Sequence, residues 1–186
     1  MKLRKLMYVS MFVTIMGALG IVPPIFLGFS PVPVTLQTLG VMLSGSVLGS
    51  RLGPKYGAFS QIIFLLLVMT GLPLLSGGRG GIGVFFSPSG GYIIGWVAGA
   101  YVIGFLLYRM KNVSFIKVLL VHILGGVLVV YVFGIPIQAM LMDISINQAI
   151  LLSLVYLPGD CIKVAVASLL AVKIRNSIPL LKEVRG

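Results

Sequence analysis

The sequence contains very few groups that can perform acid–base, nucleophilic or metal chemistry. Its 186 residues include three carboxylates, one histidine and one cysteine. Intramembrane proteolysis and metal-assisted hydrolysis need paired acids or clusters of histidine and aspartate, so we expect neither an enzyme nor a metal site. The single Cys161 excludes an internal disulfide. The chain also lacks the glycine-rich loop that binds ATP phosphates, so any ATP-driven step requires a partner protein.

Charged residues are scarce as well, and this scarcity excludes a soluble domain. They make up 9% of the chain, whereas 59% is hydrophobic and the mean hydropathy is +1.15. A soluble domain carries about a quarter charged residues. A membrane helix needs about 20 apolar residues to cross a hydrocarbon core about 30 Å thick, which leaves room for about six spans. We predict a single all-α integral membrane domain over residues 1–186, a bundle of six transmembrane helices.

The polar breaks between the apolar runs are short, and the last run is interrupted. Ser145 and Gln148 match a capping box, in which the two residues bond to each other's backbone at the start of a helix. Pro158 breaks a helix interior but is tolerated in a first turn, so we predict a break there; one long kinked helix is the alternative. The predicted spans are 6–27, 33–50, 56–73, 89–108, 115–140 and 158–175, with a short outer helix over 146–156.

The lysines and arginines follow the positive-inside rule. With six spans and both termini cytoplasmic, all but two of the fourteen basic residues fall on the cytoplasmic side. The two left over are Arg79, in an outer glycine-rich loop, and Lys163, inside the last span. The apolar run after Lys5 is longer than a typical signal-peptide core, so we expect it to be a span and not a cleaved signal.

Asp160 and Lys163 are three residues apart, so a helix places them on one face, where they can pair. An ionisable group in the membrane costs about 2.5–3.5 kcal/mol on insertion scales, and such a group is by default a candidate for function. We expect both side chains to point into a polar pocket that opens outward. A purely structural ion pair in the first turn of the helix is the alternative.

A second polar cluster follows two prolines in the segment PVPVTLQTLG, residues 31–40. The prolines indicate an extended entry, after which Thr35, Gln37 and Thr38 place neutral donors and acceptors near the outer end of the second span. These side chains can line the same pocket. Helix capping and hydrogen bonding within the bundle are the alternative roles.

The third cluster is the glycine-rich segment GGRGGIGVFFSPSGGY, residues 77–92. Glycine lets the backbone approach a ligand closely. The N–H groups at a helix start near Gly90 and Gly91 suit a carboxylate or carbonyl ligand, and Arg79 adds a positive charge. A flexible outer linker is the alternative. Aromatic residues that can form a pocket wall lie close by: Phe85, Tyr92 and Trp96.

The first span carries a row of small residues spaced four apart: Ser10, Thr14 and Ala18. Small residues at this spacing let membrane helices approach closely. A chain with an outward pocket and no ATP site needs a partner that supplies power, so this row is a candidate partner contact. Packing inside the bundle is the alternative.

Three of these motifs, taken in order, resemble one known family. They are PVPVTLQTLGVML (31–43), GGRGGIGVFFSPSGGYIIGW (77–96) and PGDCIKVAVA (158–167). The chain resembles the biotin-specific substrate-binding (S) components of energy-coupling-factor (ECF) vitamin transporters, the BioY family, over nearly its whole length. The resemblance implies a biotin-capturing subunit of the bacterial cell membrane, with no cofactor and no nucleic acid, that works with a membrane coupling protein (T component) and two ATPase subunits. In that family the small-residue row, usually alanines, contacts the coupling protein; Ser10 and Thr14 depart from this pattern.

The ligand that the resemblance implies fits these residues. Biotin offers a ureido carbonyl with two N–H groups, an apolar bicycle containing sulfur, and a carboxylate tail. Asp160 can accept from the ureido N–H groups, while Lys163 or Gln37 donates to the carbonyl. Arg79 or the amides near Gly90 can bind the carboxylate, and the reverse orientation, with Lys163 on the carboxylate, is equally sensible. The alternatives are an S component for another small anionic vitamin, or a self-sufficient channel or ion-coupled carrier.

Overall fold

The computed structural model describes residues 3–28 and 30–177, and most of this part of the chain is helical. Lys2, Lys182 and Arg185, which the predicted topology places on the cytoplasmic side, lie outside it. The α-helices are α1 (Leu3–Ile21), α2 (Gln37–Leu43), α3 (Ser50–Leu52), α4 (Pro54–Met69), α5 (Gly90–Arg109), α6 (Phe115–His122), α7 (Val130–Met142), α8 (Ile146–Leu154) and α9 (Leu157–Ser177). The strands are β1 (Ile25–Leu27) and β2 (Ser30–Val34).

Two wider helical segments join neighbouring α-helices within the described residues. The π-helical segment Ser44–Gly49 connects α2 to α3, and Ile123–Val129 connects α6 to α7. As a result, α6 and α7 form one helix of 28 residues from Phe115 to Met142. A short 3-10 helix, Ile82–Phe86, lies in the glycine-rich loop before α5.

The apolar helices make the chain a membrane protein. Within the described residues, three are long and apolar enough to cross a membrane: Leu3–Ile21, Gly90–Arg109 and Phe115–Met142. A fourth is obtained if α8 and α9, which are bent by 55° relative to each other, count as one broken span. The helix Pro54–Met69 is apolar but shorter, with 16 residues.

The segment between the first two predicted spans differs from the all-α expectation. Strands β1 and β2 pair as an antiparallel hairpin, in which Leu27 faces Ser30. Helix α1 ends at Ile21 because Pro23 and Pro24 follow, and a proline removes the N–H that a helix needs. The prolines of β2 favour extended backbone, so α2 begins only at Gln37. The predicted spans 6–27 and 33–50 therefore extended too far into this hairpin.

The predicted interruption of the last apolar run is present. Ser145 Oγ accepts from Gln148 N, and Gln148 Oε1 accepts from Ser145 N, so the capping box starts α8 as predicted. Helix α9 then carries Pro158 in its first turn, where the missing N–H costs nothing. After this bend, Asp160 and Lys163 in the first turns of α9 are buried.

Helix α5 is the central helix of the bundle, and glycines allow its neighbours to come close. A Cβ atom added to Gly49 would lie 2.5 Å from the Cα of Gly104, and one added to Gly99 would lie 2.5 Å from the carbonyl oxygen of Gly125. The two π-helical segments thus pack directly on the α5 backbone. The two segments continue α2 and α7, and both of these helices also contact α5.

Candidate functional site

A cavity opens among the N-terminal ends of α2, α5 and α9, the middle of the α6–α7 helix and the β-hairpin. Its volume, counted together with the open solvent at its mouth, is about 610 Å³. Most of the predicted site residues line it: Thr35, Gln37, Arg79, Tyr92, Trp96, Asp160 and Lys163. Three segments that are distant in sequence therefore converge on one cavity.

The predicted pairing of Asp160 and Lys163 is confirmed. Lys163 Nζ lies 2.6 Å from Asp160 Oδ1, and both side chains are buried. The same ammonium group donates to Thr38 Oγ1 at 2.8 Å and to the carbonyl oxygen of Thr35 at 3.1 Å. An ammonium group has three hydrogens, so all of them have acceptors within the protein.

Asp160 has a second partner that sequence reasoning missed. The hydroxyl of Tyr131, on α7, donates to Asp160 Oδ2 at 2.6 Å. Each carboxylate oxygen can accept more than one hydrogen bond, so Asp160 retains acceptor capacity at the cavity surface. A signal was available, because a buried tyrosine hydroxyl usually requires a hydrogen-bond partner and Tyr131 lies in an otherwise apolar run.

Three tyrosines form one wall of the cavity. The ring of Tyr92 meets the rings of Tyr131 and Tyr156 edge to face, with centroids 5.8 and 6.5 Å apart. Their hydroxyls bond to protein groups: that of Tyr92 donates to Gln138 Oε1 at 2.6 Å, and that of Tyr156 bonds to Ser30 Oγ in the hairpin. The wall is therefore aromatic and tied to neighbouring elements. Tyr156, like Tyr131, was not predicted.

Gln37 lines the cavity, but its amide bonds mainly to the backbone of other segments. Its Nε2 donates to the carbonyl oxygens of Met16, at 3.2 Å, and Leu74, at 3.0 Å. Its Oε1 accepts from the backbone N–H of Ser76 at 3.1 Å. Gln37 thus holds the loop before α5 against α1 and α2, and both of its amide hydrogens are engaged.

Arg79 brings a cation to the cavity from the glycine-rich loop. Its Nε donates to the carbonyl oxygen of Ser76 at 3.3 Å, and its Nη1 donates to Ser89 Oγ at 3.2 Å. Among residues 3–28 and 30–177 it forms no ion pair. Burial lowers the pKa of Arg79, but an arginine side chain stays protonated in proteins. Its charge is therefore not balanced by a described carboxylate.

Three predicted site residues do not line the cavity. Helix α5 starts at Gly90 as expected, but the Gly90 N–H already donates to the carbonyl oxygen of Ser87 at 2.7 Å. Gly91 packs on α7, where an added Cβ would lie 2.4 Å from the carbonyl oxygen of Phe133. Phe85 packs on the neighbouring apolar core. The glycines permit a tight turn and a close helix contact, and the Gly90 amide is not free for a ligand.

The described residues offer no metal centre. No group of three or more histidine, cysteine or carboxylate side chains lies together among them. His122 is fully buried, and its Nδ1 lies 2.9 Å from Ser168 Oγ. This histidine connects α6 to α9 inside the bundle.

Comparison with known proteins decides the family. The sequence model of the BioY family matches residues 1–180. The chain belongs to the BioY family. It is 47% identical over 180 residues to the probable biotin transporter BioY of Bacillus subtilis, covering 97% of this chain and 95% of that protein. It is 44% identical over 187 residues to the biotin transporter BioY of Rhizobium etli, covering 97% and 98%. The predicted family resemblance is thereby confirmed.

The fold comparison agrees with the family. The structure is similar to the crystal structure of the S-component for biotin from an ECF-type ABC transporter, with a TM-score of 0.88 and 36% identity. The match covers 95% of this chain and 93% of that chain. These relatives are named as transporters and a transporter component, not as enzymes.

In this BioY family member, the small-residue row of α1 faces outward. Ser10, Thr14 and Ala18 are all exposed. Thr14 Oγ1 donates to the carbonyl oxygen of Ser10 at 3.1 Å, which satisfies its hydroxyl within the helix. The row therefore lies on the outer surface of the described bundle, which favours a partner contact over internal packing.

Proposed function

We propose that this chain is the high-affinity biotin-binding subunit of an ECF-type vitamin uptake transporter. The charge balance of the cavity carries the proposal. Two cations and one carboxylate line it, and Lys163 is paired with Asp160, so Arg79 supplies an unbalanced positive charge. This arrangement suits a small ligand with one carboxylate. Relatives named as biotin transporters support biotin as that ligand.

The hydrogen bonds favour one orientation of biotin. Asp160 keeps acceptor capacity for the ureido N–H groups, whereas the three hydrogens of Lys163 are already engaged. Lys163 therefore acts as the counter-ion of Asp160, and Arg79 binds the carboxylate tail. The tyrosine wall and Trp96 cover the apolar bicycle, since aromatic surface is the usual lining of small-molecule sites.

We further propose six spans with both termini cytoplasmic, in the plasma membrane of a bacterium. The basic ends of the helices meet at one end of the bundle: Lys5 of α1 and Lys55 of α4 lie 5.3 and 5.6 Å from the ring centroid of Tyr56. Arg51 Nη2 donates to the carbonyl oxygen of Arg175 at 2.8 Å. The residues 37–52 and α4 are short for a span, but a bilayer thins locally at a modest cost.

Biotin uptake then requires partners. The chain has no ATP-binding loop, so two ATPase subunits and a membrane coupling protein supply the energy, as the family resemblance implies. The exposed row Ser10, Thr14 and Ala18 is the proposed contact with the coupling protein, because small exposed residues let two membrane helices pack closely.

Reconstitution of the purified chain tests this function. In proteoliposomes the chain alone should bind biotin stoichiometrically without accumulating it, and lipoate and thiamine should compete poorly. Accumulation of biotin without ATP and without other subunits would instead indicate a self-sufficient carrier. Equal competition by lipoate would indicate an S component for a different anionic vitamin.

A further inference from the structure

Two buried polar atoms, one of them on a residue that lines the cavity, lack a direct partner. Within the described residues, the indole Nε1 of Trp96 and the Oε1 of Gln61 are sealed from solvent and form no hydrogen bond to protein. Gln61 is fully buried and Trp96 is 4% exposed. The indole nitrogen is only a donor and the amide oxygen only an acceptor, so the two are complementary. Leaving a buried polar group without a hydrogen bond is costly, which favours a bond that satisfies both atoms.

The two residues lie on helices that pack against each other. Gln61 is on α4 and Trp96 is on α5, and the ring of Phe64, one turn beyond Gln61, lies 6.4 Å from the ring of Trp96. Trp96 contributes to the cavity lining, yet its nitrogen is sealed. The N–H is therefore directed into the protein and not toward a ligand.

The hydrogen bond of the Gln61 amide nitrogen sets the orientation of the amide group. Its Nε2 donates to Ser44 Oγ at 2.9 Å, and that hydroxyl donates onward to the carbonyl oxygen of Val41 at 2.9 Å. Because the serine hydrogen is used by Val41, Ser44 must accept from Gln61. The amide nitrogen thus faces the start of the π-helical segment Ser44–Gly49, and the oxygen remains as the acceptor for another donor.

We propose that Gln61 is a positioning residue of the ligand cavity. The Trp96 N–H donates to one internal water molecule, and this water in turn donates to Gln61 Oε1. Buried waters commonly join polar groups that do not touch directly. The bond fixes the plane of the indole ring, which lines the cavity, although Gln61 itself touches no ligand. The effect on biotin binding rests on the proposed function; the link to Trp96 does not.

The link can be tested without ligand, because Trp96 is the only tryptophan of the chain. Ultraviolet resonance Raman spectroscopy of the purified full chain reports whether an indole N–H is hydrogen-bonded. We expect a bonded N–H in the unmodified protein and a free one in Gln61→Met, which keeps the side-chain length but removes the carbonyl. The fluorescence maximum of Gln61→Met should also shift to shorter wavelength.

The control is Ser46→Ala, which also removes a buried hydroxyl. That hydroxyl donates to the carbonyl oxygen of Met42, one turn earlier in the same continuous helix, at 2.7 Å. It should leave both spectra unchanged. A free indole N–H in the unmodified protein would overturn the link, and this arm needs no variant to fold. A bonded N–H that persists in Gln61→Met would overturn it as well.

A double-mutant cycle tests the positioning role. Gln61→Met should weaken biotin binding about 3–10-fold alone, but should have no further effect in a Trp96→Phe background, because the two act through one bond. Additive losses would show that Gln61 does not act through Trp96. If the unmodified protein fails to bind biotin, the proposed function fails, while the Raman result still decides the link.

Discussion

At the scale of single residues, the ligand chemistry depends most on Asp160. Asp160→Asn keeps the size of the side chain but removes the charge that strengthens an accepted hydrogen bond. We expect biotin affinity to fall by about 1.5–3 kcal/mol in a calorimetric titration. Asp143→Asn is the matched control. Asp143 is exposed, and its backbone has the left-handed conformation (φ 53°), which asparagine also adopts. Unchanged affinity in Asp160→Asn would remove this carboxylate from the site.

Tyr131 supports Asp160 and should contribute less. Tyr131→Phe removes the hydroxyl that donates to Asp160 Oδ2 but keeps the ring that packs on Tyr92. Because this hydrogen bond supports the carboxylate and is not itself a ligand contact, we expect biotin binding to weaken by only about 0.5–1.5 kcal/mol. Tyr101→Phe serves as control, since Tyr101 is 46% exposed on α5. The account of Tyr131 is wrong if both variants bind biotin like the unmodified protein.

The sequence predicts charged site residues better than neutral ones. Asp160 and Lys163 are conspicuous because an ionisable pair inside an apolar run needs a reason. Tyr131 gives a weaker signal, a single hydroxyl in an apolar run, and the identity of its partner depends on how α7 and α9 pack, which no local pattern encodes. For Gln37 the sequence suggests a ligand contact, but the amide forms hydrogen bonds to backbone groups of α1 and of the loop before α5.

At the scale of elements, the contact between α5 and α7 requires a glycine. A Cβ atom added to Gly134 would lie 2.3 Å from the ring of Tyr92. Gly134→Ala must displace that ring, so we expect a loss of about 1–3 kcal/mol in stability, together with weaker biotin binding. Gly83→Ala is the control, because nothing lies within 4 Å of its added Cβ. Equal thermal unfolding midpoints for the two variants in detergent would contradict this packing.

Some elements are encoded locally and others are not. The capping box and Pro158 fix the start of α8 and the break before α9, because they act on the nearest backbone groups. The prolines of residues 23–33 predict only that helix is interrupted. Whether the extended segments then pair depends on the turn between them, and the strands are too short to show a pattern. The π-helical segments depend on packing against α5.

At the scale of the whole molecule, the distribution of basic residues predicts orientation. In a Cys161→Ser background, Gly83→Cys should react with a membrane-impermeant thiol reagent added outside intact cells. Lys111→Cys should react only after the cells are opened, because it lies in the basic connection between α5 and α6. Both positions are exposed. Labelling of Gly83→Cys only in opened cells would reverse the proposed topology and place the cavity on the cytoplasmic side.

The most direct test of the central claim compares biotin with biotinamide, whose tail carries no charge. Calorimetric titration of the purified chain should give one-to-one binding of biotin, tighter than binding of biotinamide by about tenfold or more, since hydrogen bonds to charged groups contribute about 1.5–3 kcal/mol. Arg79→Gln should abolish this preference while it still binds both compounds. An undiminished preference in Arg79→Gln, or equal affinities in the unmodified protein, would contradict an anion site at Arg79.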